Sequence, residues 1–171
     1  MIIVDKKNEF IENHDDIICV TRNDIEILKS KAMKNSRHRI RQNLHQSMND
    51  QVHEMIIVHT VDTYVRPHRH TTKSESFHLI EGNFTVIIFD DEGQIIRKIP
   101  MSATDSSRSF CYRIAPGIWH TLVAESEFIV FHETTAGPFA PNQAEFAPWS
   151  PQEGEEAVNP YLDSLRNSLK T

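Results

Sequence analysis

Cysteine is nearly absent from this chain: Cys19 and Cys111 are the only two in 171 residues, far apart and outside any CxxC spacing. That argues against a disulfide-stapled scaffold and a zinc ribbon and leaves two thiols expected to be buried as small hydrophobes. A basic excess is missing as well. Lys and Arg number 18 against 24 Asp and Glu, for a net charge of −6, so no nucleic-acid partner is expected. No apolar run approaches the length of a membrane span, which speaks against membrane insertion. The opening Met1-Ile2-Ile3-Val4 is too short and too soon followed by acidic residues for a secretory signal, making a cytoplasmic protein the default. Internal repeats, low-complexity tracts and, between residues 37 and 135, almost any helical periodicity are lacking too.

What remains fits one domain with extensions. Residues 1–36 read as an arm and a helix. Ile2-Ile3-Val4 and Ile17-Ile18-Cys19-Val20 suggest short strands or an irregular arm, and Thr21 or Asn23 can cap a helix reaching about Asn35, with Ile25, Leu28, Ala32 and Met33 as its apolar stripe. From Arg37 the period becomes two, and Arg37, Arg39, Arg41, Asn43 and His45 share one face. Either this is a solvated edge strand whose charges discourage aggregation, or its guanidinium row lies on a concave face and grips an anionic ligand. Short strands broken by turns then run to about residue 135. They predict a mainly β domain over 37–140, an antiparallel β-barrel or jelly roll. The Pro- and acid-rich extension over 141–171 is expected to wrap it irregularly, anchored by Phe139, Phe146 and Trp149, with Tyr161–Leu169 as a short final helix or a fraying end.

Ten histidines are the compositional oddity. Pro67-His68-Arg69-His70 continues through Glu75 to Gly82 as H-x-H-x4-E-x6-G, and Pro116-Gly117-Ile118-Trp119-His120 adds a distant histidine. Histidines two apart on a strand share a face, and a carboxylate from the next strand can complete a metal-binding set. His68, His70, Glu75 and His120 are therefore the expected ligands of one divalent transition metal. Imidazole and carboxylate donors suit Fe, Mn, Ni, Co, Zn or Cu without choosing among them, and four ligands leave room for water or substrate. The alternative is that His68 and His70 are surface residues beside Arg66 and Arg69.

Period two extended back from His68 places Tyr64 and Arg66 on the ligand face, Tyr64 as a catalytic candidate and Arg66 as a substrate contact. Glu133 ends a core strand, as a cavity-facing general base or a plain strand-end carboxylate. Arg37, Arg39 and His45 are candidate substrate contacts. Trp119 either walls the pocket or packs on the outer sheet. His78 has the opposite parity to Glu75 and is expected outside, while His53 and His132 carry no expectation of a role.

The two histidine-bearing motifs resemble the two cupin motifs. More narrowly, Arg37-His38-Arg39, Asn43-Leu44-His45, Tyr64–His70, Phe89–Gly93, Gly137-Pro138-Phe139 and Ala147–Pro151 are similar to the WbuC family of cupin-fold metalloproteins, over about residues 36–156. The resemblance implies a cupin fold, the same four metal ligands, a homodimer and a setting in O-antigen or lipopolysaccharide biosynthesis. Asp62 and Ala124 depart from the general cupin pattern at positions that are not ligands. The functional expectation is a metal-binding cupin acting on a small anionic or sugar-type molecule by isomerase- or epimerase-like chemistry. A metal-dependent dioxygenase and a non-catalytic ligand-binding module are the alternatives, and fold alone does not choose among them.

Overall fold

The middle of the chain resolves into short strands that alternate between an inner and an outer face. In the computed structural model, residues 3–4, 10–12, 15–140 and 143–170 are described; Ile2 and Pro141, both part of the expectations above, lie outside them. The order is β1 (Ile3–Val4), β2 (Phe10–Glu12), α1 (Arg22–Lys34), β3 (Arg39–Asn43), β4 (Val52–Thr60), β5 (His68–His70), β6 (Glu75–Glu81), β7 (Asn83–Phe89), β8 (Ile95–Ser102), β9 (Cys111–Ile114), β10 (Trp119–Ala124), β11 (Phe128–Ala136), β12 (Ala144–Phe146) and α2 (Val158–Ser168). One sheet runs β1-β2-β3-β4-β11-β6-β9 and the other β12-β5-β10-β7-β8. All pairings are antiparallel except β2 with β3. This is a cupin-type jelly roll built of two facing sheets rather than one closed barrel.

The inner faces meet in a core that includes Phe77, Leu79, Phe84, Val86, Leu122, Ile129 and Phe131. Burying each such side chain contributes roughly 1.5–3 kcal/mol. The outer faces are not left to solvent. Ile40, Ile56, Val58 and Val130 turn outward from the larger sheet onto Ile25, Leu28 and Ala32 of α1. Ile87, Phe89, Trp119 and Val123 of the smaller sheet pack on Leu162 and Leu165 of α2.

α1 begins where its sequence says it can. Thr21 Oγ1 accepts from the Asp24 backbone at 3.3 Å, and Asp24 Oδ2 accepts from the Thr21 backbone at 2.7 Å, a reciprocal cap. It ends at Asn35, whose extended backbone cannot continue the helix. Met33, placed on the stripe, is 60% exposed and off the packed face.

The structure decides the open alternatives for the arm, the final helix and β3 and changes other expectations. Ile17–Val20 form no strand, and β4 stops at Thr60, so residues 61–67 lead into β5 as turn and coil. Both cysteines are exposed rather than buried. Of the three aromatic anchors Trp149 packs against Phe89 and Trp119, while Phe139 and Phe146 are largely exposed, Phe146 lying against the His68 ring and the Arg66 guanidinium. The fully buried residue there is Ala147. The tail ends in a formed helix, α2. β3 is paired on both sides, by β2 and β4, so it is no edge strand.

Candidate metal centre and ligand cavity

A cavity of about 330 Å³ opens between the sheets, within the size range of small-molecule sites. Its floor is made by three strands. β5 and β10 pair so that His68 lies directly opposite His120, and Glu75, the first residue of β6, faces them from the other sheet. Gly82 follows β6 with φ +85°, and a side chain there would sit 2.3 Å from the Phe128 carbonyl oxygen, so the turn that carries the chain from β6 of one sheet into β7 of the other requires glycine.

His68, Glu75 and His120 each offer a ligand atom, and these lie within 4.8 Å of one another. His68 Nδ1 lies 2.9 Å from the Arg66 carbonyl oxygen, and His120 Nδ1 the same distance from that of Ile118. With each Nδ1–H donating there, the Nε2 lone pairs are left for a metal. Glu75 Oε2 lies 3.3 Å from His120 Nε2, and both atoms are buried without a hydrogen-bond partner among the described residues. His70 stands beside this group: its Nε2 is 2.7 Å from Glu75 Oε1, so in this conformer it steers the carboxylate. Two imidazoles and a carboxylate, with buried unsatisfied atoms on His120 and Glu75, fit a divalent transition metal.

The electrostatics agree with that chemistry. Burial alone would raise the Glu75 carboxyl, but the close His120, His70 and His68 imidazoles hold it well below the usual carboxylate range. Burial, with His120 next to it, lowers His68 to about 4, favouring the neutral imidazole that binds metal. Glu133, half-buried on the cavity wall, is pushed up to about 8 by burial and then by the Glu75 charge.

The other candidates divide. Arg37, Arg39, Arg41 and His45 line the cavity, as the concave-face alternative requires. Arg66 also reaches its wall, yet its guanidinium donates to Ser150 Oγ and to the Ala147 and Ser150 carbonyls, tying down the C-terminal segment. Tyr64 does not share the ligand face: it lines a separate cleft, its hydroxyl donates to the Pro151 carbonyl, and burial lifts its phenol to about 12. Its placement failed because residues 61–67 leave the strand, and period two ends with it. Trp119 faces outward, its indole donating to Asp91 Oδ1 at 2.9 Å and carrying the Arg69 guanidinium 4.3 Å from its ring. His78 is exposed, as its parity says.

Two cavity residues were missed. His53 lines the cavity with its ring stacked on His45, centroids 4.0 Å apart, and His59 lines it with 5% exposure. The signal was available, since His53, Met55, Ile57 and His59 alternate along the inner face of β4.

Residues 20–101 match a family described only as a domain of unknown function (DUF6016). No curated protein matches the chain. Among solved structures, the capsular polysaccharide assembling protein CapF from Staphylococcus aureus is 16% identical with a TM-score of 0.55, over 66% of this chain and 32% of that one. Protein SO0799 from Shewanella oneidensis is 11% identical with a TM-score of 0.50, over 57% of this chain and 63% of that one. A conserved protein with a double-stranded β-helix domain from Klebsiella pneumoniae is 15% identical, over 64% of this chain and 79% of that one, with a TM-score of 0.49. The chain spans less than two thirds of the length of the first two. No described helix is long and apolar enough to cross a membrane. At these identities the likeness to the first two is one of fold alone.

Proposed function

We propose that this protein holds one divalent transition metal on His68, Glu75 and His120, with His70 as fourth ligand, and uses it to bind and turn over a small anionic or sugar-type molecule by isomerase- or epimerase-like chemistry. The observation that carries the reading is the group of three donors, Glu75 and His120 buried and His68 half-buried, on the floor of a cavity lined by Arg37, Arg39, Arg41 and Lys73. A bound metal supplies Lewis acidity that polarises a ligand oxygen. The chain supplies the rest. The cationic wall attracts and orients an anion, the apolar core beneath excludes water, and Glu133, with its carboxyl raised toward neutrality, holds or releases a proton on the cavity wall.

The resemblance to the WbuC family and the likeness to CapF, whose name ties it to capsular polysaccharide assembly, support a place in surface-polysaccharide chemistry. A homodimer, which rests on the resemblance, and a cytoplasmic location, which rests on the opening residues not reading as a secretory signal, are part of the same reading. The test is elemental analysis of the purified protein beside His68→Ala and His120→Ala variants. Near-stoichiometric metal in the wild type and its loss in both variants is the expected result; equal metal in all three sinks the proposal.

A further inference from the structure

The Glu153 carboxylate, from the segment between β12 and α2, reaches the cavity from outside. Its Oε1 accepts from Arg37 Nη2 at 2.5 Å and from Arg39 Nη2 at 3.2 Å. One oxygen thus serves two guanidiniums, although each guanidinium fork is shaped to take two. Behind them lies His59, directly opposite Arg39 in the β3–β4 register. Its Nδ1 is buried with no hydrogen-bond partner among the described residues. Burial, then the Arg37 charge, lowers this imidazole to about 3, so near neutral pH it is uncharged and keeps one N–H to donate.

We propose that Arg37, Arg39 and His59 form an oxyanion subsite for the phosphate or carboxylate group of a small ligand, a place taken in this structure by the Glu153 carboxylate. An oxyanion entering between them can use both guanidiniums and satisfy the buried imidazole, which the single Glu153 oxygen does not. Glu153 is displaceable: its side chain is 37% exposed, and ion pairs of that exposure contribute little. Arg37 and Glu153 also line the second cleft, about 580 Å³, which Tyr64 and Arg166 share. Moving Glu153 aside therefore opens a way between cleft and cavity, along which the ligand's anionic end is guided. The inference rests on the cavity being the ligand site but not on the metal.

Calorimetric titration of the full-length protein with inorganic phosphate, and separately with malonate, tests it. Glu153→Gln removes the internal competitor and is expected to tighten binding of at least one probe roughly fivefold. Arg39→Ala in that background abolishes binding, and Arg39→Lys, which keeps the charge but loses the fork, leaves it intermediate. Metal-stripped and untreated protein bind the probe alike, so that loss of the metal reading and loss of this one are told apart. Binding that is absent in every variant, unaltered by Glu153→Gln, or dependent on added metal rather than on Arg39 overturns the subsite. Thermal unfolding of each variant checks that the scaffold survives the change.

Discussion

Among single residues, Glu133 makes the clearest statement about pH. Its carboxyl is raised from 4.5 to about 8, so between those values the folded state holds a proton that the unfolded chain has released. Stability contributed by the group is thus intact below about pH 4.5 and declines as pH rises toward about 8. In metal-free protein, Glu133→Gln is expected to match wild type near pH 4.5 and to become progressively more stable than it up to about pH 8, after which the difference levels off. Denaturant midpoints across that range measure this, and a difference independent of pH refutes it. Single residues were legible wherever strand alternation held. It kept His78 outside, and the same rule, which places Trp119 on the outer face when His120 is on the floor, decides the alternative open at Trp119. It failed at Tyr64, where the backbone was no longer a strand.

At the scale of elements, α1 and β3 show what local pattern can and cannot say. The α1 bounds were readable because a capping threonine and an apolar stripe lie together in the sequence. Thr21→Ala removes the cap hydrogen bond and is expected to cost about 1 kcal/mol, read as a lower urea midpoint with unchanged slope. A loss within error of zero would mean that packing alone holds the helix end. For β3 the alternation was equally plain, but one periodicity served two environments. Only the pairing with β2 and β4, a long-range fact, put the arginine row against the cavity. β5 was over-extended for the converse reason: Val61–Pro67 has strand-like composition, while the Thr60–Thr63 turn, closed by Thr63 N to the Thr60 carbonyl, breaks it.

Over the whole molecule, each sheet is covered outside by one helix, and the coverings were unequally visible beforehand. α1 was expected as a helix, but nothing local said which sheet it would cover. The last helix, expected over Tyr161–Leu169 as either formed or fraying because chain ends fray, forms over Val158–Ser168 without a side-chain cap at Ala157. It is held by packing: Leu162 and Leu165 are buried against Phe89 and Trp119, and the Arg166 guanidinium donates to the Val61 carbonyl at 2.6 Å. Leu165→Ala is expected to destabilise the protein by about 2–5 kcal/mol, with α2 and the smaller sheet losing hydrogen-exchange protection together. A stability change below about 0.5 kcal/mol would place α2 outside the cooperative unit.

The carbonyls of Arg66 and Ile118, each two residues before the histidine whose Nδ1 it meets, have one more consequence. The aim of both imidazoles is thus fixed by the backbone that carries them. A metal taken up there, as proposed, would meet donors already oriented by folding, and its loading and the folding of the chain would be separate events.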